Sequence, residues 1–189
     1  MSILDALFGR TRTVRSKSEA LFAMATAQVT LQTKLQLTPA PRAGIVFRPV
    51  ESSYFAEAEQ QLQGMLQQSK TDENLRYETQ TDSYGYRWII VQNESFEQLV
   101  AALHMVSLTL TDSGFGDQLL AAVFRFDTAA YPVYWIYNYK RGAFYPFVPS
   151  GTGQSRDNGR ELELGAVMKG ELPIDKATDH WYALWGIPF

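Results

Sequence analysis

Apolar residues open the chain at helical spacing. Met1, Ile3, Leu4, Leu7 and Phe8 predict an amphipathic segment over 2–9 that closes at Gly9. So short a helix is not stable alone in water, so something must hold it. Residues 10–17 read as a linker, and a second helical stretch starts at Ser18 with Leu21, Phe22 and Met24. The next stretch satisfies two periods. Val29, Leu31, Leu35 and Leu37 would share one face of a strand, whereas Met24, Gln28, Leu31 and Leu35 form a helical stripe. We take helix, ended by Pro39 and Pro41, followed by a short strand over 44–50.

Beyond residue 50 the pattern alternates between the two periods. Ser52 or Ser53 caps a helix on which Phe55, Ala58, Leu62, Met65 and Leu66 share a face. Residues 75–81 and 86–92 form a hairpin around Asp82–Gly85. Ser95 and Gln98 make a capping box for a helix over 96–112, with Phe96, Leu99, Val100, Leu103 and Leu110 inward and Gly114 and Gly116 as stops. Strands follow at 119–126, 133–139 and 143–148; Pro146 lacks a ladder donor and places the last at an edge. Alternation puts Val133, Trp135, Tyr137 and Tyr139 on one face of the middle strand and Tyr134 and Ile136 on the other, so both faces are expected to be covered. A polar loop over 150–159, a short helix over 160–169 and an aromatic tail with Trp181, Trp185 and Phe189 complete the chain. Hairpins interrupted by helices, without βαβ alternation, predict an α+β fold: one domain over 18–189 with a mostly antiparallel sheet and flanking helices, preceded by the segment and linker of 1–17.

Composition narrows the function classes. The chain has 189 residues, 46% of them apolar and 20% charged, enough for a core and unlike a disordered chain. It has no cysteine, which excludes disulfide scaffolds, zinc knuckles and thiol nucleophiles. Net charge is −3 but unevenly spread: Arg10, Arg12, Arg15 and Lys17 against Asp5 give residues 1–17 a formal +3, leaving −6 on the rest. An acidic body argues against nucleic acid as a partner. No apolar run approaches the roughly 20 residues of a membrane span and no signal pattern is present, so a cytoplasmic protein is expected. The basic lead-in suggests a peripheral role. Ile3, Leu4, Leu7 and Phe8 followed by Arg10, Arg12 and Arg15 suit an anionic membrane surface, or equally a face that docks on protein.

Candidate chemistry is sparse. His104 has no second histidine at ligand spacing. A hydrolase built on His180, Asp179 and a serine would want a nucleophile elbow, and no G-x-S-x-G occurs. Asp157, Glu161 and Glu163 could be carboxylate ligands, but on a helix they read as a solvated acidic face. The string SGTGQS at 150–155 lacks the lysine of a phosphate loop, and KRGAFYPF at 140–147 only echoes an RNA-binding strand out of register. No catalytic residue, metal or cofactor is expected.

Several strings taken together resemble one family. MSILDALFGR at 1–10, DSYGY at 82–86, the stretch from Leu103-His104 to Gly114-Phe115-Gly116, YKRGAFYPF at 139–147, RDN at 156–158, GEL at 170–172 and WYALWG at 181–186 resemble the PspAB family in order and spacing. The resemblance implies an accessory protein linked to the PspA-type envelope-stress (phage-shock) system and to membrane metallopeptidases of the HtpX type, without established catalysis. It implies a protein partner, PspA-like or peptidase-associated, met near the cytoplasmic membrane face. Tyr84, Tyr86, Tyr139, Arg141, Phe144, Tyr145, Arg156, Asp157, Trp181 and Trp185 are the candidate partner-binding residues, and a homodimer is an expected state. The order of elements also looks similar to small secretion-chaperone domains, which makes a peptide-binding chaperone the alternative function.

Overall fold

The structure, a computed structural model, describes residues 19–72, 74–151 and 153–189. The amphipathic segment and linker predicted over 1–17 lie outside the described residues. A short 3-10 turn at Glu19–Phe22 leads into α1 (Ala23–Leu35), whose Met24, Ala27 and Leu31 are buried. The helical stripe therefore outweighs the strand pattern. Gln36 ends the helix in the left-handed region (φ 56°), and both its N–H and that of Leu37 return to the Leu31 carbonyl.

The first strand differs from expectation. β1 runs Thr38–Phe47, so Pro39 and Pro41 lie inside it and it ends before Pro49. The ladder to the neighbouring strand shifts register between Pro39 and Ala43, and the Pro41 carbonyl accepts from Asn93 N–H at 3.2 Å on the other side. A bulge tolerates residues that offer no donor.

α2 (Ser53–Asp72) buries Phe55, Ala58, Leu62 and Leu66 as expected. Met65 does not join them: it is 43% exposed, and its sulfur accepts a hydrogen bond from the Thr109 hydroxyl at 3.3 Å. β2 (Arg76–Thr81) and β3 (Arg87–Gln92) form the hairpin, and α3 (Phe96–Asp112) carries the Ser95 cap, whose hydroxyl accepts from Gln98 N–H. β4 (Leu119–Asp127), β5 (Pro132–Asn138) and β6 (Ala143–Phe147) precede α4 (Asn158–Met168).

The six strands form one antiparallel sheet in the order β2-β3-β1-β4-β5-β6. Its helix side holds Ile45, Phe47, Val91, Phe124, Trp135 and Tyr137, packed under the helices. Its other side holds Val46, Trp88, Ile90, Val123, Ile136 and Phe147, covered by residues 181–189 of the C-terminal segment, called the strap below. The alternation read in β5 is thus correct on both faces. The fold is α+β.

Candidate interaction surface

Three devices fix the surface on the strap side. The first is a buried carboxylate. Glu161 is 1% exposed in the first turn of α4. Its Oε1 accepts from Val148 N–H at 2.8 Å, and Arg156 Nη2 sits 2.7 Å from Oε2. Arg156 also donates from Nη1 to the Trp181 carbonyl at 2.7 Å and lies 5.4 Å over the Phe147 ring. One ion pair therefore ties β6, α4 and the start of the strap together. A charge this deep is tolerable because its lone pairs are met by an opposite charge and an amide.

The second device is a pair of glycines. A Cβ on Gly44 would come 2.6 Å from the Phe189 ring, and one on Gly165 would come 2.7 Å from the Trp181 ring. Each clears space for an aromatic anchor of the strap. Phe189 meets Trp88 edge-on at 6.3 Å, Trp185 meets Phe147 edge-on at 5.0 Å, and the Tyr134 hydroxyl donates to the Phe189 carbonyl at 3.2 Å.

The third is the β2–β3 turn. Asp82 Oδ1 accepts from the N–H groups of Tyr84 and Tyr86 at 2.9 and 3.0 Å, Oδ2 accepts from Trp88 Nε1 at 3.1 Å, and Gly85 takes φ 82°. These bonds brace the turn, which presents the Tyr84 ring, 76% exposed, at its tip.

The candidate residues separate accordingly. Tyr84, Arg141 and Asp157 are exposed, and Tyr86, Arg156 and Trp185 are half-buried. Tyr139, Phe144, Tyr145 and Trp181 are buried, so the monomer does not present them. Burial pushes the hydroxyls of Tyr137, Tyr139 and Tyr145 well above the ordinary phenol range, with Arg156 partly opposing at Tyr145. Ser107 partly opposes the rise at Tyr139, in a geometry short of a full hydrogen bond. Tyr134 is raised too, by burial first. The remaining candidates, Ile3, Leu4, Leu7, Phe8, Arg10, Arg12 and Arg15, lie in residues 1–17, outside the described residues.

Of the polar candidates, Asp157 caps α4 by accepting from Arg160 N–H at 2.9 Å, and Glu163 pairs with Arg160 at 2.7 Å. Glu161 is not on a solvated acidic face; Arg156 and Val148 hold it inside. The partner of His180 is Asp175, whose carboxylate oxygens lie 3.0 and 3.2 Å from Nδ1, and not the adjacent Asp179. Among the described residues, no serine hydroxyl is a hydrogen-bond partner of His180, whose ring meets Asp175, and His104 packs against Phe22 with ring centroids 4.4 Å apart. Among the described residues, no three histidine or acidic side chains are placed to share a metal ion. No described helix is long and apolar enough to cross a membrane.

Glu161 is the residue whose role the sequence pattern misread, and Asp175 the one it missed. Their ion-pair partners, Arg156 and His180, each lie 5 residues away and follow no helical or strand period; only the nearby RDN string hinted at the first.

The geometry defines a single-domain α+β protein whose sheet is covered on both faces, by helices on one side and by its own strap on the other. A family model described as PspAB, PspA associated protein B, matches residues 1–189, the whole chain, and the chain belongs to that family. The family name indicates association with PspA, a protein partner. No curated protein and no solved structure matches the chain.

Proposed function

We propose that this protein is a non-enzymatic accessory component of a PspA-type envelope-stress response, binding a PspA-like partner at the cytoplasmic face of the membrane. The match of the PspAB family model over the whole chain carries this reading. Two further observations support it. The polar groups that first suggested chemistry serve the architecture: Asp157 caps a helix, Glu161 and Arg156 clamp the strap, and Asp175 holds His180. The basic, amphipathic composition of residues 1–17 supplies both terms that membrane recruitment needs, apolar burial and attraction to anionic headgroups at about 1 kcal/mol per cation. Tyr84, an exposed aromatic at a braced hairpin tip, is the kind of side chain that anchors protein interfaces.

The peptide-binding alternative gains no specific support, because the aromatic sheet face it would use is occupied by Trp181, Trp185 and Phe189.

Co-sedimentation with vesicles tests recruitment. The full chain should pellet with anionic vesicles more than with neutral ones, more strongly still when purified PspA-like protein is bound to them, and removal of residues 1–17 should abolish the lipid-only component. Equal binding to neutral and anionic vesicles removes the electrostatic part of the reading, and no enhancement by the PspA-like protein removes the rest.

A further inference from the structure

The two edges of the sheet are treated differently. β6 contains Pro146, and its outer side is covered: Phe144 N–H donates to the Pro173 carbonyl at 2.8 Å, and Asp175 N–H donates to the Phe144 carbonyl at 2.9 Å. Among the described residues, β2 has no such cover. It has no proline, its register with β3 shows no bulge, and its charges are one arginine and one glutamate, Arg76 and Glu78. Edges are normally blunted by such devices, and an edge without them is a template for another strand.

The outward groups of β2 follow from its hydrogen bonds. Asp82 N–H donates across the hairpin to the Tyr86 carbonyl at 2.9 Å, which makes Asp82 and Tyr86 a hydrogen-bonded pair. Alternation then turns the backbones of Gln80, Glu78 and Arg76 toward β3 and those of Tyr77, Thr79 and Thr81 away from it. Asn93 N–H, donating to the Pro41 carbonyl on the far side of β3, obeys the same alternation. Among the described residues, the outward N–H and C=O groups of Tyr77, Thr79 and Thr81 meet no partner. An open hollow of about 520 Å³ runs beside them, lined by Gln67, Lys70, Arg76, Tyr77, Glu78 and Thr79, so α2 leaves room along the edge.

We propose that β2 is a homodimer seam, on which a second copy of this chain adds its own β2 antiparallel about a two-fold axis through Thr79. Outward residues pair only with outward residues, so the axis passes through one of them or through the inward residue between two of them; on Glu78 it would set Glu78 against its own twin, and on Gln80 it would set Glu78 against Asp82, so like charges would meet in both. Through Thr79, Tyr77 faces Thr81 of the second copy, and the antiparallel pattern closes about six backbone hydrogen bonds. On the strap-side face, Arg76 then stands opposite Asp82 of the second copy and Glu78 opposite Gln80, so no like charges meet. An axis at Tyr77 would set Thr79 against Leu75, whose N–H is already committed to the Ser69 carbonyl at 3.4 Å. An axis at Thr81 would run the strands into the Asp82–Gly85 turn. The result is a continuous sheet across both copies that leaves Tyr84 and the strap free, so it stands independently of the PspA-directed reading.

Sedimentation velocity of the full chain over a wide concentration range reads the state directly, and a concentration-dependent dimer is expected. Thr79→Pro removes one outward donor while sparing the ladder to β3, and should raise the dimer dissociation constant more than about tenfold with an unchanged circular dichroism spectrum. The cysteine-free background gives a second readout independent of that variant's folding. Opposed Cα atoms in a hydrogen-bonded antiparallel pair lie about 5.5 Å apart, within disulfide reach. Thr79→Cys should therefore cross-link to its twin under mild oxidation, whereas Gln80→Cys, facing Glu78, should not. A chain monomeric at every concentration, a dimer indifferent to Thr79→Pro when that variant is folded, or cross-linking by Gln80→Cys as fast as by Thr79→Cys would each overturn the seam.

Discussion

Glu161 shows how far a single residue can depart from its local pattern. Two residues before Glu163 on a short helix, it reads as solvated, yet it is the carboxylate on which β6, α4 and the strap converge. Glu161→Gln leaves the Arg156 guanidinium without its counter-charge, and we expect a loss of about 3 kcal/mol in urea unfolding, the low end for a buried pair because Arg156 keeps some solvent. A loss below about 1 kcal/mol would show the pair to be dispensable. Gly165→Ala acts on the same corner by pushing into the Trp181 ring, with an expected cost of about 1–3 kcal/mol and a shifted tryptophan emission spectrum. The buried tyrosines predict a pH effect. Tyr137, Tyr139 and Tyr145 hold their hydroxyl protons in the fold to higher pH than they do unfolded. Stability from these groups is therefore complete below about pH 10 and falls as pH rises further, by about 1.4 kcal/mol per pH unit for each. Denaturant midpoints measured from pH 9 to 11.5 should decline steeply only above about 10, and a flat profile would contradict the burial.

At the scale of elements, legibility follows how local the cause is. α3 is visible in the sequence because its cap, its apolar stripe and its terminating Gly114 all lie within or beside it. Removing the cap with Ser95→Ala should cost about 1 kcal/mol in thermal or urea unfolding, with no change in the sheet. β1 was misplaced for the converse reason. Pro39 and Pro41 forbid an ordinary ladder, and only the partners across the bulge make their strand possible. The strap is the least legible element. Its anchors Trp181, Trp185 and Phe189 have no period, and the places of Trp181 and Phe189 depend on Gly165 and Gly44, outside the strap. Part of the candidate surface was lost for that reason. Tyr139, Phe144 and Tyr145, candidates through the family strings, are buried on one side of the sheet or the other.

For the whole molecule, family membership was carried by ordered short strings across the chain, while the strand order β2-β3-β1-β4-β5-β6 depends on long-range pairing that no window of sequence contains. Among the described residues both sheet faces are closed, and the Tyr84 tip and the β2 edge are left outward; the basic N-terminal segment is known from sequence alone. In the proposed account, partners are recognised through these peripheral features. The most direct measurement is isothermal titration of the full chain against a purified PspA-like partner, repeated with Tyr84→Ala. The account predicts saturable binding at micromolar concentrations or tighter, weakened at least about tenfold by the substitution, since an aromatic hot spot at an interface contributes about 2 kcal/mol or more. No heat and no binding with the folded full chain would contradict it.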